Sequence, residues 1–287
     1  MLSLNVWKTN DLYKFNEQNE QNEQNEQKKY FSSSVKTVRS ATKEKSGLMF
    51  VLGEKNISRD KLNLLAQQIP RIITGKPAYP VLFLHEKAKV EFESSIQSYK
   101  ESIGTCKGES ADDIVTQSLF IAARDQKNLS MTDVDLKSFR KIYITGHGTA
   151  AADYILSGDS KITITEIVDC LEQNKILNSI NDLRFTCCDS ADRRKVDHLS
   201  KEGINISNRD SGPLESLFLG DPKSLIEKIS SEIWDRGYTD VKVSGYHAKG
   251  VFYAGELPTS HLRSTTIPAK DTVKRKNVRV TLESDLD

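Results

Sequence analysis

Short apolar runs alternate with stretches of helical spacing along most of this chain. Leu48-Met49-Phe50-Val51-Leu52 is a continuous apolar run of the length and flanks of a strand buried on both faces. From Asp60 to Thr74 the apolar positions Leu62, Leu64, Leu65, Ile69, Ile72 and Ile73 follow a helical period, with a kink expected at Pro70 and a stop at Gly75-Lys76-Pro77. Val81–Leu84 reads as a second buried strand, followed by a helix to about Tyr99, and residues 101–113 read as a polar surface loop. Lys141–Thr145 is a strand that runs into Gly146-His147-Gly148. A helix over Ile164–Lys175 follows, then a strand over Leu183–Thr186 that runs into Cys187-Cys188-Asp189-Ser190. Pro222–Gly237 is an amphipathic helix with Pro expected in its first turn and Gly just past its end. Beyond it the pattern changes to strands alone, at 240–246, 251–254 and 277–282. The alternation predicts an α/β fold, a mostly parallel sheet flanked by helices, with a β-rich C-terminal extension over 240–287.

Composition changes the picture mainly at the N-terminus. Residues 16–27 are four consecutive Asn-Glu-Gln triplets, and a repeat with no apolar face cannot offset the entropy of ordering it. Residues 1–46 therefore read as a disordered leader, and 47–287 as the folded unit. No apolar run approaches the roughly 18–20 residues of a membrane span, and the first residues lack the pattern of a Sec signal peptide. Charge is balanced, 41 Lys and Arg against 40 Asp and Glu, so a charged partner must be drawn by a local patch. The four cysteines, Cys106, Cys170, Cys187 and Cys188, do not suggest a disulfide framework.

The candidate chemistry sits where two predicted strands end. The crossover of about 40 residues between them places the strands parallel, with their C-terminal ends on one edge of the sheet, where ligands and catalytic groups of open α/β sheets gather. An imidazole at His147 can thus meet a thiol at Cys187 or Cys188, and a neighbouring base raises the reactive thiolate fraction. Gly148, without a side chain, can bring its N–H to a reacting carbonyl and share an oxyanion hole with the cysteine N–H. Neighbouring strand side chains point to opposite faces, so one thiol at most faces His147 and the other is a buried structural group. Asp153 and Asp189 are equal candidates for a third, orienting residue, and none is required. Adjacent cysteines lack the spacing of zinc ligands.

Hydrophobic strand, Thr145-Gly146-His147-Gly148, then hydrophobic strand, Thr186-Cys187-Cys188-Asp189-Ser190, resembles the two signatures of the caspase–gingipain–clostripain clan of cysteine proteases. Within it the chain is most similar to the protease domains of MARTX and large clostridial toxins and to OspB-type type III secreted effectors. The resemblance spans roughly residues 47–282, and its specific part is the His-Gly and Cys motifs. It implies a caspase-like fold and a Cys–His endopeptidase. In the clan the nucleophile follows a small residue and precedes a polar one, which favours Cys188; another registration makes it Cys187. It also implies cleavage after leucine or another specific residue, and delivery by a non-Sec route to the cytoplasm of a host cell, where host protein is the substrate. Two other readings stay open: a thiol-dependent protein-modifying enzyme such as a deamidase or transferase, and a non-catalytic inositol phosphate sensor.

The extension carries its own signal. Lys242, Lys249, Arg263, Lys270, Lys274, Arg275, Lys276 and Arg279 face only Glu256 and Asp271 in the same stretch, a cluster that favours a polyanion. In the toxin protease domains the corresponding segment binds inositol hexakisphosphate, which activates them, so the resemblance implies the same allosteric activator here. Few aromatics and no recognised motif argue against nucleic acid.

Overall fold

The computed structural model describes residues 46–102, 110–212 and 221–284. The expected leader, apart from Ser46, lies outside them. The centre is a seven-stranded sheet in the order β12-β8-β7-β4-β1-β2-β3. Its strands are β1 (Ser46–Val51), β2 (Val81–Phe83), β3 (Asn128–Ser130), β4 (Phe139–Ile144), β7 (Asp182–Phe185), β8 (Lys242–Tyr246) and β12 (Arg279–Leu282). All pairs are parallel except β12 with β8, which is antiparallel. A hairpin, β5 (Tyr154–Ser157) and β6 (Ser160–Thr163), and a three-stranded antiparallel sheet complete the β structure. The latter is built from β9 (Lys249–Val251), β10 (Leu262–Ser264) and β11 (Val273–Lys274). The expected mostly parallel sheet with a β-rich C-terminal extension is therefore present. Among the described residues no helix is long and apolar enough to cross a membrane.

Strand alternation sorts the core onto two faces. Leu48, Phe50, Leu82, Ile142, Ile144, Leu183, Phe185 and Val243 belong to one cluster. It is covered by α6 (Ile164–Gln173) through Ile167, Val168 and Leu171, and by α8 (Leu225–Asp235) through Leu225, Ile226, Ile229 and Ile233. Met49, Val51, Val81, Phe83 and Tyr143 point the other way. There they pack with α1 (Lys61–Ala66), α3 (Glu86–Ser95) and α5 (Ala111–Asp125). That second cluster takes no residue from β7 or β8. Over this half of the face Arg184 and Tyr246 line a cavity instead of joining a hydrophobic layer.

Some boundaries differ from the sequence expectation, for local reasons. The helix expected over 60–74 is two, α1 and α2 (Ile69–Ile73), and Pro70 lies in the first turn of the second, where a missing N–H leaves nothing unpaired. The break is fixed by Gln68, fully buried, whose side chain donates to Tyr79 O (2.9 Å) and accepts from Tyr79 N (2.9 Å). The stretch to Tyr99 is likewise divided, into α3 and α4 (Gln97–Glu101). Part of the expected loop at 101–113 falls on residues 103–109, outside the described ones, and its end opens α5 with a capping box between Ser110 and Asp113. Pro222 lies ahead of α8, which Ser224 caps in a box with Glu227; Gly237 follows its end as expected. The hairpin β5–β6, β3, α7 (Lys201–Asn208), β10 and β11 are short elements that periodicity did not reveal, nor did it reveal the 15-residue α5; the strand expected at 251–254 is β9, which ends at Val251.

Packing outweighs capping in holding α8. Replacing Ile229, fully buried, by Ala is expected to lower unfolding free energy by about 2–5 kcal/mol. Ser224→Ala should lower it by about 1 kcal/mol. Both are measured by chemical denaturation followed by circular dichroism.

Candidate active site and basic pocket

β4 and β7 lie side by side in register, Ile144 opposite Phe185. His147 stands three residues past the first and Cys188 three past the second, so the two chain ends leave the sheet at the same level. Past β4 the backbone is pinned to β5, with His147 N–H donating to Leu156 O (2.7 Å) and Leu156 N–H donating to His147 O (2.9 Å). The next residue touches the cysteine segment. A Cβ on Gly148 would lie 2.9 Å from Cys188 O, 3.3 Å from Cys187 Cβ and 3.4 Å from its Sγ. Only glycine lets these two loops close to that distance.

The imidazole of His147 is oriented by a residue that sequence reasoning missed. Its Nε2 lies 2.9 Å from Oδ1 of Asp60, a carboxylate side chain only 6 % exposed against 55 % for the histidine. Asp60 heads α1 yet makes no side-chain cap bond; its other oxygen accepts from Gly158 N–H (2.7 Å). Gly158 can serve there because it holds a left-handed φ of 57° and packs where a Cβ would strike Lys55 O. A carboxylate only accepts, so it fixes the proton on Nε2 and leaves Nδ1 as the basic nitrogen. The hydrogen bond to Asp60 also raises the His147 pKa above its ordinary value. The two acids weighed from sequence lie elsewhere: Asp153 pairs with Lys228, and Asp189 with Lys249. In sequence Asp60 reads as an ordinary helix-start acid, and nothing in the spacing of residues 60 and 147 links them.

The two cysteines have different surroundings. Cys187 is 2 % exposed and part of the core cluster around β7. Burial pushes its thiol up to about 12. Cys188 is half-buried. The segment after them is stitched to the β8–β9 turn. Asp189 N–H donates to Ala248 O (2.9 Å), Tyr246 N–H to Ser190 Oγ (2.9 Å) and Ala248 N–H to Asp192 Oδ2 (2.7 Å). His247 Nδ1 pairs with Asp192 Oδ1 in the same buried knot.

On the helix-poor half of the sheet lies a cavity of about 290 Å³. Its lining includes Arg71, Lys76, Arg184, Lys274, Arg275, Lys276 and Arg279, with Tyr79, Tyr143 and Tyr246 and no carboxylate. Arg184 is partly neutralised by a bidentate contact with Asp182 (2.8 and 2.6 Å). His261 also lines the cavity, and burial pushes it down to about 3, so it adds no charge. Four of the eight cations expected at an anion site, Lys274, Arg275, Lys276 and Arg279, thus meet in one place. Lys270 is not among the lining residues. Lys242 pairs with Glu283 (2.7 Å), Lys249 pairs with Asp189 (3.3 Å), and Arg263 is buried under the cysteine segment. Arg71, Lys76 and Arg184 come from distant parts of the chain. Only Arg184 left a trace in the sequence, as a charge inside an otherwise apolar strand.

A second cavity, about 420 Å³, is apolar. Leu62, Ala66 and Ile69 line one side, Val115 and Leu119 another, and Val251, Phe252 and Ile267 a third. In sequence its lining begins two residues past Asp60 and one residue past Lys249. No protein-family model matches the chain, and no curated protein is significantly similar to it in sequence.

Asp60→Asn is expected to reduce kcat of any His147-dependent reaction by about 100-fold. Because Asp60 raises the His147 pKa, and His147 must be neutral to take a proton, loss of Asp60 should move the acid limb of the kcat/KM profile to lower pH. A pH–rate series on the two proteins reads both effects.

Proposed function

We propose that the chain is a cysteine endopeptidase activated by an inositol polyphosphate. The observation that carries this reading is the oriented imidazole. His147 is held by a buried carboxylate through Nε2, with Nδ1 left over, at the end of the strand paired with the one that leads into the cysteines. A lone structural histidine has no need of a buried carboxylate that forgoes its helix cap. Cys188 is the better nucleophile of the pair, since it is accessible while Cys187 is packed in the core with a thiol that does not ionise near neutrality.

The reaction follows from these groups. His147 takes the Cys188 proton and the thiolate attacks the peptide carbonyl carbon, whose π electrons move onto oxygen. Backbone N–H groups of Gly148 and Cys188 receive that oxyanion. As the tetrahedral species collapses, the C–N bond breaks and the imidazolium gives its proton to the leaving amine. Water, deprotonated by His147, then cleaves the thioester and restores the thiol. The apolar cavity suits a leucine-like side chain of the substrate.

The basic cavity supports the activator. Seven cations without a lining carboxylate repel one another, and a compact polyanion such as inositol hexakisphosphate turns that repulsion into attraction. Arg275 of the cavity and the buried Arg263 lie against the same Tyr246 ring, at 4.9 and 4.8 Å from its centroid. Neutralising Arg275 therefore relieves Arg263, which binds the cysteine segment. Action on host protein after delivery into a host cell rests on the family resemblance alone.

Cys188→Ala should abolish cleavage and Cys187→Ala should leave it largely intact, each assayed with and without inositol hexakisphosphate. Mass spectrometry of the products separates backbone cleavage from side-chain modification, and modification alone would replace the protease reading with a transferase one. The polyanion at a hundredfold excess over Kd should add about 2.7 kcal/mol of stability, seen as a rise in Tm. Lys276→Glu should remove most of that rise.

A further inference from the structure

Among the described residues Arg263 is the largest fully buried side chain, 1 % exposed, and no carboxylate there pairs with it. Its guanidinium holds backbone carbonyls instead. Nη2 donates to Thr186 O (2.9 Å), and Nη1 donates to Cys187 O (3.2 Å) and Ala248 O (2.9 Å). Its Nε is buried without a hydrogen-bond partner. A buried guanidinium is costly, so its hold on these carbonyls needs a reason.

The geometry of the peptide unit supplies one. In a trans peptide the C=O and the following N–H lie in one plane and point in opposite directions. Turning Cys187 C=O inward onto Arg263 therefore turns Cys188 N–H outward. Among the described residues neither that amide nor the amide of Gly148 donates to a backbone carbonyl. The Gly148 backbone closes on the residues either side of this peptide, the place of a Gly148 Cβ lying 3.3 Å from Cys187 Cβ and 2.9 Å from Cys188 O of the next peptide. The fork of Arg263 spans two successive carbonyls of the cysteine segment and one of the β9 side, which a point charge cannot reproduce. We propose that Arg263 is a positioning residue that aims the Cys188 amide into the oxyanion site. The proposal rests on the protease reading above and gives Arg263 a role distinct from the anion cavity, which it does not line.

The test uses two reactions of one thiol. Acyl transfer passes through an oxyanion, whereas alkylation by iodoacetamide needs the thiolate and no oxyanion donor. Arg263→Lys keeps the charge and loses the fork. In the full-length chain it should lower kcat for peptide cleavage about 10- to 100-fold with KM little changed. The rate of Cys188 alkylation, followed by peptide mass mapping, should stay near that of the parent, as should the Tm rise with inositol hexakisphosphate. Unchanged kcat, or an equal fall in cleavage and alkylation, would overturn the proposal. A parent protein whose Cys188 alkylates but which cleaves no peptide would instead overturn the protease reading, and this one with it. Should Arg263→Lys fail to fold, the parent protein answers alone. A leucine-ending peptide aldehyde forms a hemithioacetal with Cys188, and its oxygen should shift the Cys188 amide proton downfield in the NMR spectrum. Formation of the adduct without that shift counts against the proposal.

Discussion

The arrangement depends on a knot of buried hydrogen bonds between the turn after β7 and the turn after β8. Ser190 and Asp192 reach from the first into the second, and Asp189 and Ala191 donate backbone N–H groups to Ala248 and Tyr246. Arg263 closes the knot from below by holding carbonyls of both turns. Buried polar groups in such a network are costly when any partner is lost, so the cysteine segment has one favoured shape. That shape sets Cys187 in the core and leaves Cys188 accessible.

The same knot ties the cysteines to the charged cavity. Tyr246 is the last residue of β8, lies against Arg263 and lines the cavity beside Arg275. The sheet gives up a hydrophobic layer over β7 and β8 to make this space, and the three-stranded sheet of the extension closes it. A protein that leaves that many cations facing one cavity forgoes stability in the absence of a counter-charge. The two halves of this face thus differ: apolar contacts cover one, and a cavity lined by cations lies over the other.

Much of the fold was legible in the chain. The strands around Phe50, Leu82, Ile142 and Leu183 are buried on at least one face by helices and so appear as apolar runs, and α6 and α8 carry clear helical periods. What escaped was mostly short; the exception is α5, whose buried face mixes Ile114 and Val115 with the small or polar Ser118, Ala122 and Ala123 and so shows no clean apolar stripe. β10 and β11 have two or three residues each, too few for a period, and Gln68 breaks a helix by bonds to Tyr79 that local propensity does not encode. Of the candidate site, the approach of Gly148 to the cysteine pair was readable because both follow the ends of paired strands. Asp60 was not, because an acid at a helix start has an ordinary local explanation.

The sequence alone determined which residues end neighbouring parallel strands, and that the C-terminal stretch carries an excess of positive charge. Both are properties of short windows of chain, where apolar pattern and charge count are directly visible. Tertiary structure alone decided that Asp60 meets His147 across 87 positions. It also separated the basic residues, sending Arg263 beneath the cysteines and gathering Arg71, Lys76 and Arg184 with the cations of the extension. Such pairings depend on which face of the sheet a side chain takes and what packs over it, and no local window of sequence holds that information.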